Sequence, residues 1–542
     1  MNVDCSNFTA VLPKVIEEIQ KCNFIAIDIE FSGLFCNADC TPSLFDSLEE
    51  RYVKLRNNVS SFIPVQLGIS LFTKSEGKNE FKVNTYSFYC CPRFYGPPIS
   101  CFSLETGAIE FLADNSFDFN KFARYGIPFL NKPQEETFRK FMKEKFISFD
   151  LSYSMIDRLI DIRKQIKEWM ILLPVRDGCR HGENTFPYQP FTNPLINYLL
   201  IDHLRKEYKN FWITQQGDKL FIKTVSHAER KQLMSSIEKE ENDVIDSCIG
   251  LTKLVNVIIE SGKPIVGNNM MVDLTMLYHH FIEPMPVNLQ HFKKEILKNF
   301  PVIYDVKSII FNVKKYFPAY EDSLSARNLE DLYEKLSKPS FTSSSKFQST
   351  IIRDDSKDCD NGNHYHDAGF DAYITGYVFL RVCALIAEYE SDKCILEPVV
   401  EWESLIRPIT PFKNKINLIR AAYHFMDLEA KSQKAVRPEW LVLRCRDKST
   451  SISIAQIYNT FSSASTTIDF KQISKSEIVL AVGNFRTARD LIEKYRKDKN
   501  YMITRYNFIR DSTAGRLLLW TTLIIGAGST GYLVHKVMSK YL

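Results

Sequence analysis

Asp28 and Glu30 lie two residues apart in Phe24–Phe31, a run whose other six residues are all apolar. Eight residues of that composition predict a buried β-strand. A strand repeats every two residues, so both carboxylates point to one face. Two like charges on a buried strand repel each other and resist losing water. Cations neutralise such a pair, and hard oxygen donors this close suit Mg²⁺ or Mn²⁺ rather than zinc. Alone, the pair also fits a solvated strand edge.

Two further segments carry chemistry. In Val266–Asp273 a short apolar strand ends at Gly267, and the asparagine pair Asn268 and Asn269 can cap the next helix. Asp273 then sits one turn inside that helix. Its structural alternative is a charge placed near a helix N-terminus. In His366–Gly376, His366 lies at the start of an apolar helix and Asp371 follows it. A carboxylate ligand with a nearby imidazole can take a proton from a bound water near neutral pH. The alternative is a surface or capping histidine beside a solvated aspartate. His364 is a rival for the base, and Asp367 is expected to face away.

The chain has 542 residues, several times a typical domain of about 150, so two or three domains or large insertions are expected. An apolar fraction of 45% with 25% charged residues excludes wholesale disorder. A net charge of +4 is no nucleic-acid signature by itself. Thirteen cysteines, an odd number, with no secretion signal at the N-terminus, point to a reduced, cytosolic setting. Cys36, Cys40, Cys90 and Cys91 read as free thiols, because no second pair completes a zinc site.

Residues 1–150 read as the first part of an α/β domain, with strands over Phe24–Phe31, Phe62–Phe72 and Phe81–Tyr89. Residues 151–245 read as a largely helical insertion. The α/β pattern resumes over 246–400, with a flexible loop at 336–365 and a long helix from Ala368 to Tyr389. Residues 414–506 read as a small α/β domain. From Leu517 to Val534 eighteen residues carry no charge. As a helix they would span about 27 Å, near the ~30 Å of a bilayer core. The stretch Ala481–Arg516 before it holds nine basic residues against four acidic ones. A transmembrane tail anchor is expected there, with a buried terminal helix as the alternative.

Taken in order, Asp28 and Glu30, Asp273, and His366 with Asp371 resemble the three motifs of the DEDDh exonucleases. Phe24–Gly33, Glu50–Leu55, Phe117–Lys121, Gly126–Pro128, Val266–Asp273 and His366–Gly376 together resemble the poly(A)-specific ribonuclease family over roughly residues 1–400. The resemblance implies a ribonuclease H-like fold with a mixed sheet and 3′→5′ exoribonuclease activity releasing 5′-nucleoside monophosphates. It implies two Mg²⁺ ions, with Mn²⁺ as a substitute, held by Asp28, Glu30, Asp273 and Asp371, and His366 as general base. Phe31, Ser32, Gly33 and Asn269 would line the terminal nucleotide's pocket. The anchored C-terminus is similar to the membrane-bound branch of the family. That branch implies trimming of PIWI-interacting RNA precursors on the mitochondrial outer membrane, catalytic part in the cytosol, with a PIWI-type carrier and a membrane-bound adaptor as partners. The endoplasmic reticulum is the alternative membrane. In the insertion, His203 and Arg205 lack the spacing of the family's inserted nucleic-acid-binding domain. Residues 414–506 keep the outline of its RNA-recognition fold without the aromatic strand motif. A tethered deadenylase, an inactive scaffold and a DNA exonuclease are the competing readings.

Overall fold

The computed structural model describes the chain apart from residues 94–100, 145–152, 177–178, 181, 192, 343–348, 354–364, 392–398, 448–450 and most of 454–467 and 513–542. The chain forms two compact units. One joins Met1–Cys40 to Leu55–Asn417, and the other joins Thr41–Lys54 to the chain from Leu418 onward.

The first unit is built on a seven-stranded mixed sheet of β1 (Asn2–Val3), β2 (Phe24–Phe31), β3 (Pro64–Lys74), β4 (Glu80–Tyr89), β5 (Ile265–Gly267), β6 (Ile303–Asp305) and β7 (Thr350–Arg353). Its order is β1-β4-β3-β2-β5-β6, with β7 also on β4. β2, β3 and β4 pair antiparallel, whereas β2, β5 and β6 pair parallel. The expected β2 is found residue for residue. β7 corrects the expectation of a loop through 336–365: Ile351 and Arg353 pair with Phe81 and Val83. Residues 343–348 and 354–364 of that loop, His364 included, lie outside the described residues.

Alternation along β2 explains where the site falls. Phe24 and Ala26 share the face of Asp28 and Glu30, and both are fully buried. The Phe24 ring stacks on Phe72 at 4.6 Å and meets Phe379 edge-on at 5.2 Å. Phe379 belongs to helix Ala368–Ser391, which covers this face with Ile374, Val378 and Cys383 in one apolar cluster. The greasy end of the strand is thus packed under the helix middle, and the acidic end emerges at the helix start. Gly68, opposite Asp28 on β3, permits the approach: a Cβ there would stand 1.9 Å from the Ala368 carbonyl oxygen.

This helix alone, among the described residues, is long and apolar enough to cross a membrane, yet 89% of its most apolar stretch is buried inside the protein. It is a core helix. The expected anchor, 517–534, lies outside the described residues except for Leu517 and Thr521.

The insertion holds helices Tyr153–Leu172, Pro194–Glu207, His227–Met234 and Ile237–Ile249 with a three-stranded sheet of Glu183–Pro187, Phe211–Gln216 and Lys219–Thr224. Ile166, Leu204, Ile213 and Leu220 close its own core. Arg205 serves that fold. It is 3% exposed, donates to the Ile213 carbonyl at 2.7 Å, forks onto Glu240 at 2.7 and 3.2 Å, and stacks over Trp212.

The second unit carries an antiparallel sheet of β8 (Leu441–Cys445), β9 (Ile468–Ser474), β10 (Glu477–Val482) and β11 (Tyr501–Arg505), in the order β9-β10-β8-β11. Ala488, Leu491 and Tyr495 of helix Phe485–Tyr495 pack on Leu443, Ile478 and Leu480. Alternation puts Val442, Arg444, Val479 and Ala481 on the other face. No aromatic residue stands in β8 or β10. Arg444 is tied to Glu477 at 2.9 Å, to Thr504 at 2.7 Å and to Asp511, whose side chain is fully buried. Asn414 and Asn417 bond to Ile303 and Asp305 and belong to the first unit.

Candidate active site

Asp28 and Glu30 from β2 and Asp371 from the first turn of helix Ala368–Ser391 converge, with one carboxylate oxygen from each lying within 4.8 Å of the others. Among the described residues this is the one such group of potential metal ligands. None of the three forms an ion pair with lysine or arginine among the described residues. The Asp371 Oδ1 atom is buried without a hydrogen-bond partner. A buried carboxylate oxygen with no donor is costly unless a cation occupies it. Three partly buried hard-oxygen donors around it fit Mg²⁺ or Mn²⁺.

The electrostatics agree. Burial, then the charges of Asp371, Asp273, Glu30 and Asp367, hold the Asp28 carboxyl well above its ordinary range. Burial, then Asp371, Asp367 and Asp273, push Glu30 up to about 8. Burial likewise raises Asp371 to about 7, against the His366 backbone N–H that favours its ionised form. Each group therefore binds its proton more tightly when folded than when unfolded. Without metal, the contribution of these three groups to stability is most favourable below about pH 4 and is lost as pH rises toward 8. Glu30→Gln removes one such group. The metal-free variant is expected to be more stable than the parent at pH 8 by a few kcal/mol, at about 1.4 kcal/mol per pKa unit. The gain should vanish at pH 4, and denaturant unfolding at the two pH values measures it.

Asp273 stands beside this trio rather than within it. It is 8% exposed on the helix Met271–Leu277. Burial raises its carboxyl to about 7, against its own backbone N–H and that of Ile29 on β2, which favour the ionised form. Its charge reaches both Asp28 and Glu30.

The turn before Asp273 differs from the expected asparagine cap. The helix is capped at Met270 with no side-chain cap bond. The work falls to Asp305 at the end of β6, whose carboxylate accepts the N–H groups of Asn269 and Met270, each at 3.1 Å. The reason is geometric. Asn269 adopts a left-handed backbone (φ 59°), and its side-chain oxygen is turned to accept Asn417 Nδ2 at 2.8 Å.

His366 also takes a left-handed backbone, φ 66°. Its Nδ1 faces Asp371 Oδ2 at 4.0 Å and its Nε2 meets Glu330 Oε1 at 2.9 Å. The Phe111 ring lies edge-on to the imidazole at 4.8 Å. Asp367 is turned toward the strands: it accepts Ser87 Oγ at 2.6 Å and Gln66 Nε2 at 3.0 Å, and it caps the following helix through the Gly369 and Phe370 N–H groups.

The loop after β2 is rigidly held. Ser32 is 1% exposed; its hydroxyl donates to the Ser103 carbonyl and accepts the Ile63 N–H. Gly33 sits against the Phe62 ring, which a Cβ would strike at 2.4 Å. Phe31 keeps partial exposure. Glu105, which sequence reasoning passed over, accepts the N–H groups of Leu34 and Phe35. Glu330 and Asp305 were also missed. Each acts through a fold contact that spacing does not encode.

A mixed sheet whose central strand brings two carboxylates to a third at a helix start, with a histidine alongside, defines an exonuclease domain of the DEDDh type. The sequence profile described as CAF1 family ribonuclease matches residues 3–379, and the chain belongs to that family. It is 27% identical over 549 residues to the Bombyx mori pre-piRNA 3′-exonuclease trimmer, covering 100% of both chains. It is 27% identical to the Mus musculus poly(A)-specific ribonuclease PNLDC1, with 97% of each chain covered. Against the Xenopus laevis poly(A)-specific ribonuclease PARN, identity is 26% over 85% of this chain and 74% of that protein.

Proposed function

We propose that this chain is a metal-dependent 3′→5′ exoribonuclease that trims the 3′ ends of PIWI-interacting RNA precursors and releases 5′-nucleoside monophosphates. The observation that carries the reading is the carboxylate trio with its orphaned Asp371 oxygen beside His366. Asp28, Glu30 and Asp371 would hold Mg²⁺ or Mn²⁺, and Asp273 would support a second ion beside Asp28. When bound, the ions lower the pKa of water and offset the charge that develops on the phosphate oxygens. His366 accepts the proton of the attacking water as the new P–O bond forms and the bond to the leaving 3′ oxygen breaks. Phe31 offers the terminal base an apolar ring, and Ser32, Gly33 and Asn269 shape the loop and turn around it.

The full-length match to the silkworm trimmer supports the precursor substrate. The names of the PNLDC1 and PARN relatives favour a second reading, poly(A) removal by the same site. Comparing cleavage of oligo(A) with a mixed-sequence 3′ tail separates them: similar rates fit a trimmer, and strict preference for oligo(A) fits a deadenylase. The aromatic-free strands β8 and β10, with Arg444 bound by Asp511, support a second unit that does not read bases by stacking. RNA would then be presented by a PIWI-type carrier, with a membrane-bound adaptor bringing the two together. Residues 517–534 would tether the protein to the mitochondrial outer membrane, the endoplasmic reticulum being the alternative, with catalysis in the cytosol. A protein cut after Ser512, which keeps Asp511 on Arg444, is expected to be soluble and still shorten naked RNA. Carbonate should release the cut protein and leave the full chain in the membrane pellet; release of the full chain would exclude the anchor.

A further inference from the structure

Glu330 lies in the first turn of helix Leu329–Ser337, behind its cap Asn328. It is 36 residues upstream of His366 and belongs to none of the three motifs. Its Oε1 nevertheless meets His366 Nε2 at 2.9 Å, with the two side chains 27% and 34% exposed. Its other oxygen is within 3.5 Å of Asn328 Nδ2, which steadies the carboxylate.

A carboxylate at that distance accepts, so Nε2 carries the hydrogen, and in the neutral ring Nδ1 holds the lone pair. Nδ1 is the atom that faces the metal-ligand carboxylates. Its 4.0 Å separation from Asp371 Oδ2 is too long for a direct hydrogen bond, and one water can bridge it. The opposite ring flip would put Cδ2 in the place of Nδ1 and Cε1 in the place of Nε2, so that a carbon edge would face the carboxylates and the bond to Glu330 would be lost. Phe111 packs against the ring but makes no polar contact that selects which edge points inward. The choice therefore rests on Glu330.

We propose that Glu330 is a positioning residue: its hydrogen bond to Nε2 locks the His366 ring so that Nδ1 faces the attacking water. The inference rests on the exonuclease reading, in which His366 takes that water's proton. Loss of such an orienting partner typically lowers activity about 10–100-fold. Because Glu330 makes no hydrogen bond to the carboxylate trio or the nucleotide loop and reaches Asp371 only through its charge, the effect should fall on kcat and leave KM within about twofold.

The test compares Glu330→Ala and Glu330→Gln with the parent in the full-length protein. Single-turnover cleavage of a labelled RNA is read alongside the histidine side-chain N–H resonances of metal-free protein, assigned by loss in His366→Gln. Expected are a hydrogen-bonded Nε2–H signal in the parent and in Glu330→Gln, its loss in Glu330→Ala, and a kcat drop in Glu330→Ala that Glu330→Gln largely restores. The glutamine keeps the acceptor oxygen without the charge, so its rescue marks orientation as the cause. A Glu330→Ala kcat within twofold of the parent overturns the proposal. So does Glu330→Gln being no better than alanine, or the signal persisting in Glu330→Ala. A parent protein inactive on RNA with Mg²⁺ supplied would instead sink the exonuclease reading, while the N–H signal would still report the pair.

Discussion

Asp28→Asn is expected to abolish RNA shortening while leaving the chain folded. The substitution keeps shape and removes one charge from a group of carboxylates that already repel one another. Burial and the charges of Asp371, Asp273 and Glu30 all press on Asp28, so the ionisation of its carboxylate depends on a bound cation. Asparagine is a poorer ligand for a hard divalent ion and cannot neutralise it. The loss should exceed the roughly 10²–10³-fold cost of deleting one preorganised hydrogen-bond donor, because the ion's whole charge is at stake. The same change should raise the thermal stability of the metal-free protein at neutral pH, since it relieves that repulsion. Loss of activity together with gain of stability separates a ligand from a structural carboxylate. A variant that keeps near-parental rates with Mg²⁺ supplied would remove Asp28 from the metal site.

His366→Ala is expected to slow the chemical step by about 10²–10⁴-fold, the usual cost of losing a general base. RNA affinity should change little, because Nδ1 faces Asp371 and Nε2 is bound by Glu330, which leaves the ring no free edge for phosphate. Metal binding should also survive, since the trio of carboxylates is intact. Single-turnover rates with saturating and limiting RNA distinguish the two effects. If His364→Ala were the crippling change and His366→Ala silent, the general base would belong to the other histidine.

The strand that matters most was readable because its physics is local. Six apolar residues and two carboxylates within eight positions specify a buried strand with a charged end, and β2 has those bounds. Helix Ala368–Ser391 was legible for the same reason, as a long apolar run. Contacts between distant segments were not. Glu330 reaches His366 only because helix Leu329–Ser337 packs its Leu332 and Leu336 into the core beside Tyr373 and Tyr377. Asp305 caps the turn at Asn269 because β6 pairs with β5 and brings a carboxylate to the strand end. From the sequence, Asn268 and Asn269 are the better caps; a left-handed residue and a neighbouring strand overrule them. Asp511 lies six residues before the uncharged stretch that begins at Leu517, yet it closes the Arg444 network of the second unit. Nothing in its local sequence announces that.

The most direct test of the catalytic centre is product mapping on a 5′-labelled single-stranded RNA incubated with the full-length protein and Mg²⁺. The site described here predicts a ladder that recedes from the 3′ end one nucleotide at a time, with 5′-nucleoside monophosphates released. Chelation and Asp371→Asn should each abolish it. Internal cuts, or a ladder that Asp371→Asn leaves unchanged, would contradict the account.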